Sequence, residues 1–250
     1  MEHYIIHATV GSHSVGVATP ESDIDQMAVV IAPKEHYLGL DYWGQQGTKE
    51  FKTPDPTTYA LVETTCYELT KFLRLCAGFN PNVIPLLWLR EDMYNRLRPA
   101  GKQILESRHL FNSKKAYYAF AGYMQGQIKK MGELGLENKR MTAQRKELRA
   151  KFGYDTKYAY HAVRLVRMLD EFLSSKGERL SVNRVGIDAD ELLAIRNGAL
   201  DKQSVQSLVE KTIEECKHKT DWLPEEPDWK GINALSCKIL EDALLRGEGV

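Results

Sequence analysis

Apolar positions divide the chain into two unlike halves. Tyr4-Ile5-Ile6-His7-Ala8-Thr9-Val10 is rich in β-branched and aromatic residues and predicts a first strand. Ile24 to Ala32 predicts a second. Its stretch Met27–Ala32 is almost continuously apolar, as in a strand covered on both faces, and Pro33 ends it. Between them, Gly11 to Gly16 predicts a turn and a short helix, and Thr19-Pro20-Glu21-Ser22 a turn. Residues 41–57, with Gly44, Gly47, Pro54 and Pro56, read as an exposed loop holding a short strand over Thr48–Lys52. Thr57–Glu63 is a third strand. Leu69, Phe72, Leu73, Leu75 and Cys76 then take helical spacing, which Asn80-Pro81-Asn82 interrupts before a short apolar segment, Val83–Leu89.

From Ser113 onward the period is helical. Helices are predicted over Lys114–Leu134, Asn138–Phe152, Thr156–Leu173, Ala189–Arg196, Lys202–Lys217 and Ile232–Arg246. Gly153 is a stop, and Asp155 is placed to cap the helix that follows. Trp222–Trp229 reads as a proline-punctuated linker to the last helix. Tyr117, Tyr118, Phe120 and Tyr123 read as core. The shift near residue 110 predicts an α+β protein: a small catalytic-type α/β domain over 1–110, then an all-helical domain over 111–250.

Composition narrows the function. Lys+Arg 34 balances Asp+Glu 34, so no global basic charge draws the chain to nucleic acid and any such site is a local patch. The four cysteines form no CxxC pair or metal spacing and read as reduced thiols. The start of the chain lacks the character of a signal peptide, and no run approaches the ~18 apolar residues of a membrane span. A cytoplasmic protein without membrane contact is expected.

The candidate chemistry lies in Gly11-Ser12 and Asp23-Ile24-Asp25. A glycine-serine turn after a strand, leading into a helix, can hold phosphates on backbone N–H groups. Carboxylates at i and i+2 share one face of a strand, and Mg²⁺ takes such oxygen ligands. Two ions held there would stabilise the entering and leaving oxygens in nucleotidyl transfer, and a third carboxylate on a neighbouring strand would complete the site and accept the hydroxyl proton. The plainer alternative is a Gly-Ser turn beside an Asp-rich strand cap.

The stretch Gly11-Ser12-His13-Ser14-Val15-Gly16 through Asp23-Ile24-Asp25 resembles the signature of the DNA polymerase β-like nucleotidyltransferase superfamily. Within it, the chain resembles the RNA-repair-pathway polymerase β family. Tyr37–Leu40, Lys71–Leu75 running to Asn80-Pro81-Asn82, Lys151–Lys157, Arg164-Leu165 and Leu192–Gly198 carry the likeness to about residue 200. The resemblance implies a small mixed-sheet catalytic domain and metal-dependent transfer of a nucleotide. It aligns Glu63 with the third carboxylate, usually Asp in such relatives; Glu68 is the fallback, read mainly as a capping or surface residue.

The expected site is therefore Asp23, Asp25 and Glu63 for Mg²⁺ or Mn²⁺, with Gly11, Ser12 and Ser14 for the triphosphate. Lys157, His161 and Arg164 fall at i, i+4 and i+7 on one helix face. They read either as a donor row facing the triphosphate or as a solvated basic face with a core histidine, and the family-like context favours the first. Tyr154 reads either as stacking on a nucleobase or as packing beneath the helix start, and the second is favoured. Lys129-Lys130, Lys139-Arg140, Arg145-Lys146, Arg149 and Lys151 form either a patch for an RNA backbone or a salt-bridged face, interrupted by Glu133, Glu137 and Glu147. The expected substrates are a nucleoside triphosphate and an acceptor hydroxyl, the resemblance pointing to RNA such as tRNA or a broken end. The alternatives are transfer to a protein or small molecule, and a non-catalytic nucleotide- or RNA-binding module.

Overall fold

The computed structural model describes residues 4–19, 22–54, 61–132 and 143–245. Five strands form one mixed sheet in the order β3-β4-β2-β1-β5. They are β1 (Tyr4–Thr9), β2 (Ile24–Val30), β3 (Thr48–Pro54), β4 (Leu61–Glu68) and β5 (Tyr94–Leu97). β2 and β4 run parallel at the centre, and every other pair is antiparallel. This position explains the continuous apolar run of β2: Met27 to Val30 are all buried, because neighbours and helices cover both faces. On one face Gln26 sits between His7 and Thr64, its Oε1 meeting His7 Nε2 at 2.9 Å and accepting from Thr64 Oγ1 at 3.1 Å.

Short helices connect the strands. α1 (Gly11–Val15) joins β1 to β2, α2 (Lys34–Leu38) follows β2, α3 (Leu69–Ala77) leaves β4 directly, and α4 (Pro99–Glu106) follows β5. Glu68 ends β4 and caps α3, its carboxylate accepting from the amides of Thr70 and Lys71. The capping role read for Glu68 holds, but the residue is buried rather than on the surface. The helical half contains α5 (Lys115–Gly132), α6 (Ala143–Phe152), α7 (Thr156–Ser174), α8 (Ala189–Arg196), α9 (Lys202–Lys217) and α10 (Trp229–Leu245). α7 is its axis. Buried side chains at 159, 162, 163, 166, 169, 172 and 173 give it a broad apolar face, against which α5, α8 and α9 pack.

Several boundaries differ from the expectations. The strand expected to end at Glu63 runs on to Glu68, which places Glu63 inside β4; residues 57–60 of that expectation lie outside the described residues. Helices α2 and α4 and strand β5 have no counterpart in the sequence pattern. The final helix begins at Trp229, so this tryptophan belongs to it rather than to the linker. Among the four aromatics read as core, Phe120 is fully buried and Tyr117 and Tyr123 are partly so, whereas Tyr118 is exposed because it lies on the outer side of α5. No helix among the described residues is long and apolar enough to cross a membrane.

One buried cluster includes residues from Ile5 to Ala243, on both sides of the shift near residue 110. Phe79, just after α3, links the halves. Its ring lies 4.8 Å from that of Phe172 and 6.0 Å from that of Phe120, both in the helical half. Removing this ring should leave a cavity and cost about 3–5 kcal/mol. Phe79→Ala is expected to lower the unfolding free energy by that amount, and the urea midpoint with it, in a single transition. Coincident far-UV circular dichroism and tryptophan fluorescence curves would check it, and two separate transitions would show that the halves unfold independently.

Candidate active site

The turn after β1 and the start of β2 form a tight unit. Val10 N–H donates to Asp25 C=O at 2.8 Å, closing the sheet around the turn. Gly11 lies at φ +65°, and a Cβ there would come within 2.1 Å of Asp25 Oδ2. Both facts require glycine, and both bring the turn's backbone against a carboxylate. Ser12 stands in the first turn of α1, where helix geometry leaves N–H groups without intrahelical acceptors. Ser14 is buried and donates its hydroxyl to Gly11 C=O at 3.0 Å, so its side chain stabilises the turn from inside.

The parallel register puts Asp25 directly beside Glu63. Asp23 is exposed, two residues upstream at the mouth of β2. Burial raises the Asp25 carboxyl above its ordinary range, the charges of Glu63 and Asp23 raise it further, and Lys157 and His13 oppose the shift. On its other side Glu63 faces Lys52, its register partner on β3, and the two form an ion pair. Among the described residues no group of three or more His, Cys, Asp or Glu is already gathered to hold a metal ion. The donor chemistry nevertheless suits a divalent cation. Asp23, Asp25 and Glu63 are hard oxygen donors, and their mutual repulsion is what such an ion would relieve.

A cationic cavity of about 270 Å³ lies on the helical side. Lys157, His161 and Arg164 line it together from α7, with Lys130 of α5 and Arg145 of α6, and among the described residues none that lines it is acidic. Asp155 builds this wall. It is buried, accepts from Lys157 N–H at 3.1 Å as the cap of α7, and takes Arg145 Nη2 at 2.8 Å. Burial, then the guanidinium groups of Arg145 and Arg196, hold the Lys157 ammonium below its usual range, while Asp25 and Asp155 oppose this. Burial, then Arg164, Lys157, Arg196 and Arg145, hold His161 well below the usual imidazole range, so it is neutral at pH 7. Arg164 Nε is buried without a hydrogen-bond partner. The crowded cations and the unmatched donor suit an anion.

The structure thus brings Gly11, Asp25 and Glu63 together, and gathers Lys157, His161 and Arg164 in one cavity. The two groups meet through the charge interaction of Lys157 with Asp25. Tyr154 is buried and donates to Leu200 C=O, consistent with packing beneath the helix start. Of the basic run, Lys139 and Arg140 lie outside the described residues, and Arg145 turns inward to Asp155. Lys52, Lys130 and Arg196 were not singled out for the nucleotide site from the sequence. Lys52 had one available signal: it lies within a predicted strand with an acidic partner strand nearby.

An acidic strand mouth held against a glycine turn, on a mixed sheet with helices behind it, is consistent with a polymerase β-like fold. The chain belongs to the RNA repair pathway DNA polymerase beta family, which it matches over residues 1–238. No curated protein matches the chain.

The raised Asp25 carboxyl has a consequence for stability. Its folded value lies above the ordinary 3.8, so between the two values the folded state binds the proton more tightly than the unfolded state. Stability is therefore lost as pH rises through that window, and the ionised Asp25 works against the fold at neutral pH. Asp25→Asn is expected to raise the urea midpoint at roughly pH 7, and the gain should vanish near pH 3, below both values. A variant less stable than wild type at pH 7 would show that the carboxylate is net stabilising.

Proposed function

We propose that this protein is a metal-dependent nucleotidyltransferase. It moves a nucleoside monophosphate from a nucleoside triphosphate to an acceptor hydroxyl and releases pyrophosphate, with RNA as the acceptor, either tRNA or a damaged end. The observation that carries this reading is the register of Asp25 beside Glu63, with Gly11 pressed against Asp25 and a cationic cavity nearby.

In this reading Asp23, Asp25 and Glu63 hold Mg²⁺ or Mn²⁺, and Glu63 exchanges Lys52 for the ion. When bound, the metal supplies charge stabilisation at the attacking and leaving oxygens. The amides of Gly11 and Ser12 bind phosphate oxygens. Lys157 and Arg164 neutralise the charge that builds on the departing pyrophosphate, and neutral His161 donates a hydrogen bond without adding to the cation crowding. Family membership supports the RNA acceptor.

The Lys52–Glu63 ion pair favours a second reading, a nucleotide-binding module without transfer, since a cation already occupies one side of the third carboxylate. One assay separates the two. Purified protein with Mg²⁺ or Mn²⁺ is given each α-labelled nucleoside triphosphate together with total tRNA, nicked RNA, a protein lysate or a small-molecule pool. Label is expected on RNA, and chelator or Asp23→Ala/Asp25→Ala should reduce it at least a hundredfold, about 2.7 kcal/mol in barrier. Metal-dependent nucleotide binding without label on any acceptor would support the module. Absence of both binding and label would overturn the nucleotide reading.

A further inference from the structure

A second, larger cavity, about 750 Å³, opens at the opposite end of β4. Glu68 lies at its floor, five residues from Glu63 and so roughly 17 Å away along a strand. The volume falls in the range of small-molecule and nucleotide sites.

The cavity wall is a held structure. In the turn before β3, Gln45 N–H donates to Thr48 C=O at 2.8 Å and Gly47 N–H to Trp43 C=O at 3.0 Å. Glu68 N–H ties the turn to β4 through Gly47 C=O at 2.9 Å, and Trp43 N–H ties it to α2 through His36 Nδ1 at 3.1 Å. Gly47 is at φ +80°, and a Cβ there would sit 2.8 Å from Glu68 Cγ. Gln46, which lines the cavity, is held at φ 51° although it is not glycine. Strain of this kind persists where surrounding structure fixes it and collects at ligand sites.

The chemistry of the cavity is cationic and aromatic. The Glu68 carboxylate is engaged by Thr70 N–H at 2.7 Å, Lys71 N–H at 2.5 Å, Thr70 Oγ1 at 2.6 Å and Tyr37 OH at 3.3 Å. Its charge is thus used internally, and the start of α3 is already capped. Lys71 and Arg74 also face the cavity, and neither side chain has an ion-pair partner among the described residues. At the rim Tyr42 is 82% exposed, next to Leu38 and Leu40 at 75% and 96%. Across the turn before β3 the Lys49 ammonium lies 4.4 Å over the Trp43 ring.

We propose that this cavity docks single-stranded RNA, the acceptor strand of the transfer reaction. Tyr42 stacks on a base, and Lys71 and Arg74 contact the backbone phosphates. An aromatic face beside unpaired cations is the combination that single-stranded nucleic acid uses. The choice of RNA rests on the acceptor reading above.

The test measures binding of a labelled single-stranded oligoribonucleotide to the full chain by fluorescence anisotropy, over a series of salt concentrations. Tyr42→Ala is expected to weaken binding by about tenfold with little change in salt slope. Lys71→Gln/Arg74→Gln should weaken it and reduce the slope of log K against log salt by about 1.4, or about 0.7 for each of two phosphates. Thermal unfolding checks that these variants remain folded, and Mn²⁺-dependent triphosphate binding, measured separately, should be unchanged in both. RNA binding equal to wild type in both variants, or no RNA binding by wild type, would overturn the inference while leaving the transferase reading standing on triphosphate binding. An acidic peptide that binds as tightly as the RNA and loses as much on Tyr42→Ala would overturn the choice of nucleic acid. The expected RNA dependence without any triphosphate binding would keep the docking site and remove the transferase.

Discussion

The contact between the backbone of Gly11 and the carboxylate of Asp25 is the constraint on which the site depends. A backbone can approach a carboxylate this closely only where no Cβ stands between them, and here a Cβ would come within 2.1 Å of the oxygen. The left-handed φ of Gly11 and the bond from Val10 N–H to Asp25 C=O fix the same geometry from both sides. The turn therefore cannot move relative to β2 without breaking the β1–β2 ladder at its end. Backbone amides and carboxylate oxygens are held in one small rigid unit, which is the preorganisation that the proposed phosphate and cation binding needs.

That unit is not held by the sheet alone. Asn183 Nδ2 donates to Ser14 C=O at 3.2 Å, Arg184 N–H to Val15 C=O at 2.9 Å, and Arg196 Nη1 to Val17 C=O at 3.2 Å. Three carbonyls after Gly11, those of Ser14, Val15 and Val17, are thus tied to the segment from 183 to 196. Arg184 is itself buried and paired with Asp188, which also accepts from Arg167. A charged network in the helical half thereby sets the position of the turn in the sheet half. The aromatic contact of Phe79 with Phe120 and Phe172 joins the two halves elsewhere.

The parts legible in the sequence were those with local signals. Gly11-Ser12 and Asp23-Ile24-Asp25 are short motifs whose residue types and spacing carry their geometry. Helices α8 and α9 were bounded correctly because apolar period and polar flanks agree. The extent of β4 was hidden because its buried positions include Thr64 and Glu68, polar residues that satisfy themselves through partners distant in sequence. β5 was hidden for another reason: it is a four-residue edge strand with Asn95 and Arg96 exposed, so no apolar alternation marks it. The row Lys157, His161 and Arg164 was visible as a helix face. Its meaning depended on Lys130 and Arg145, which reach the same cavity from other helices. No local pattern encodes that meeting, since it follows from how Asp155 caps α7 and holds Arg145.

Charge is sorted rather than scattered across the two halves. Carboxylates crowd at the mouth of β2 and β4, where burial and then their repulsion raise Asp25, and cations crowd between α5, α6 and α7, where burial and then their repulsion lower Lys157 and His161. Each crowding works against folding, yet the chain as a whole is neutral. Intermixing the same charges would remove the like-charge repulsion in both, and the surface of α9 shows that this sequence does so elsewhere, with Lys211 near Glu215 and Lys217 near Glu214. Lys157 and Asp25 bridge the two groups at the site. A ligand that carries negative charge toward the helices and a cation toward the strands relieves both at once. A nucleoside triphosphate with its divalent metal has that distribution, which is why the separated charges, costly in the free protein, argue for that substrate more strongly than either cluster alone.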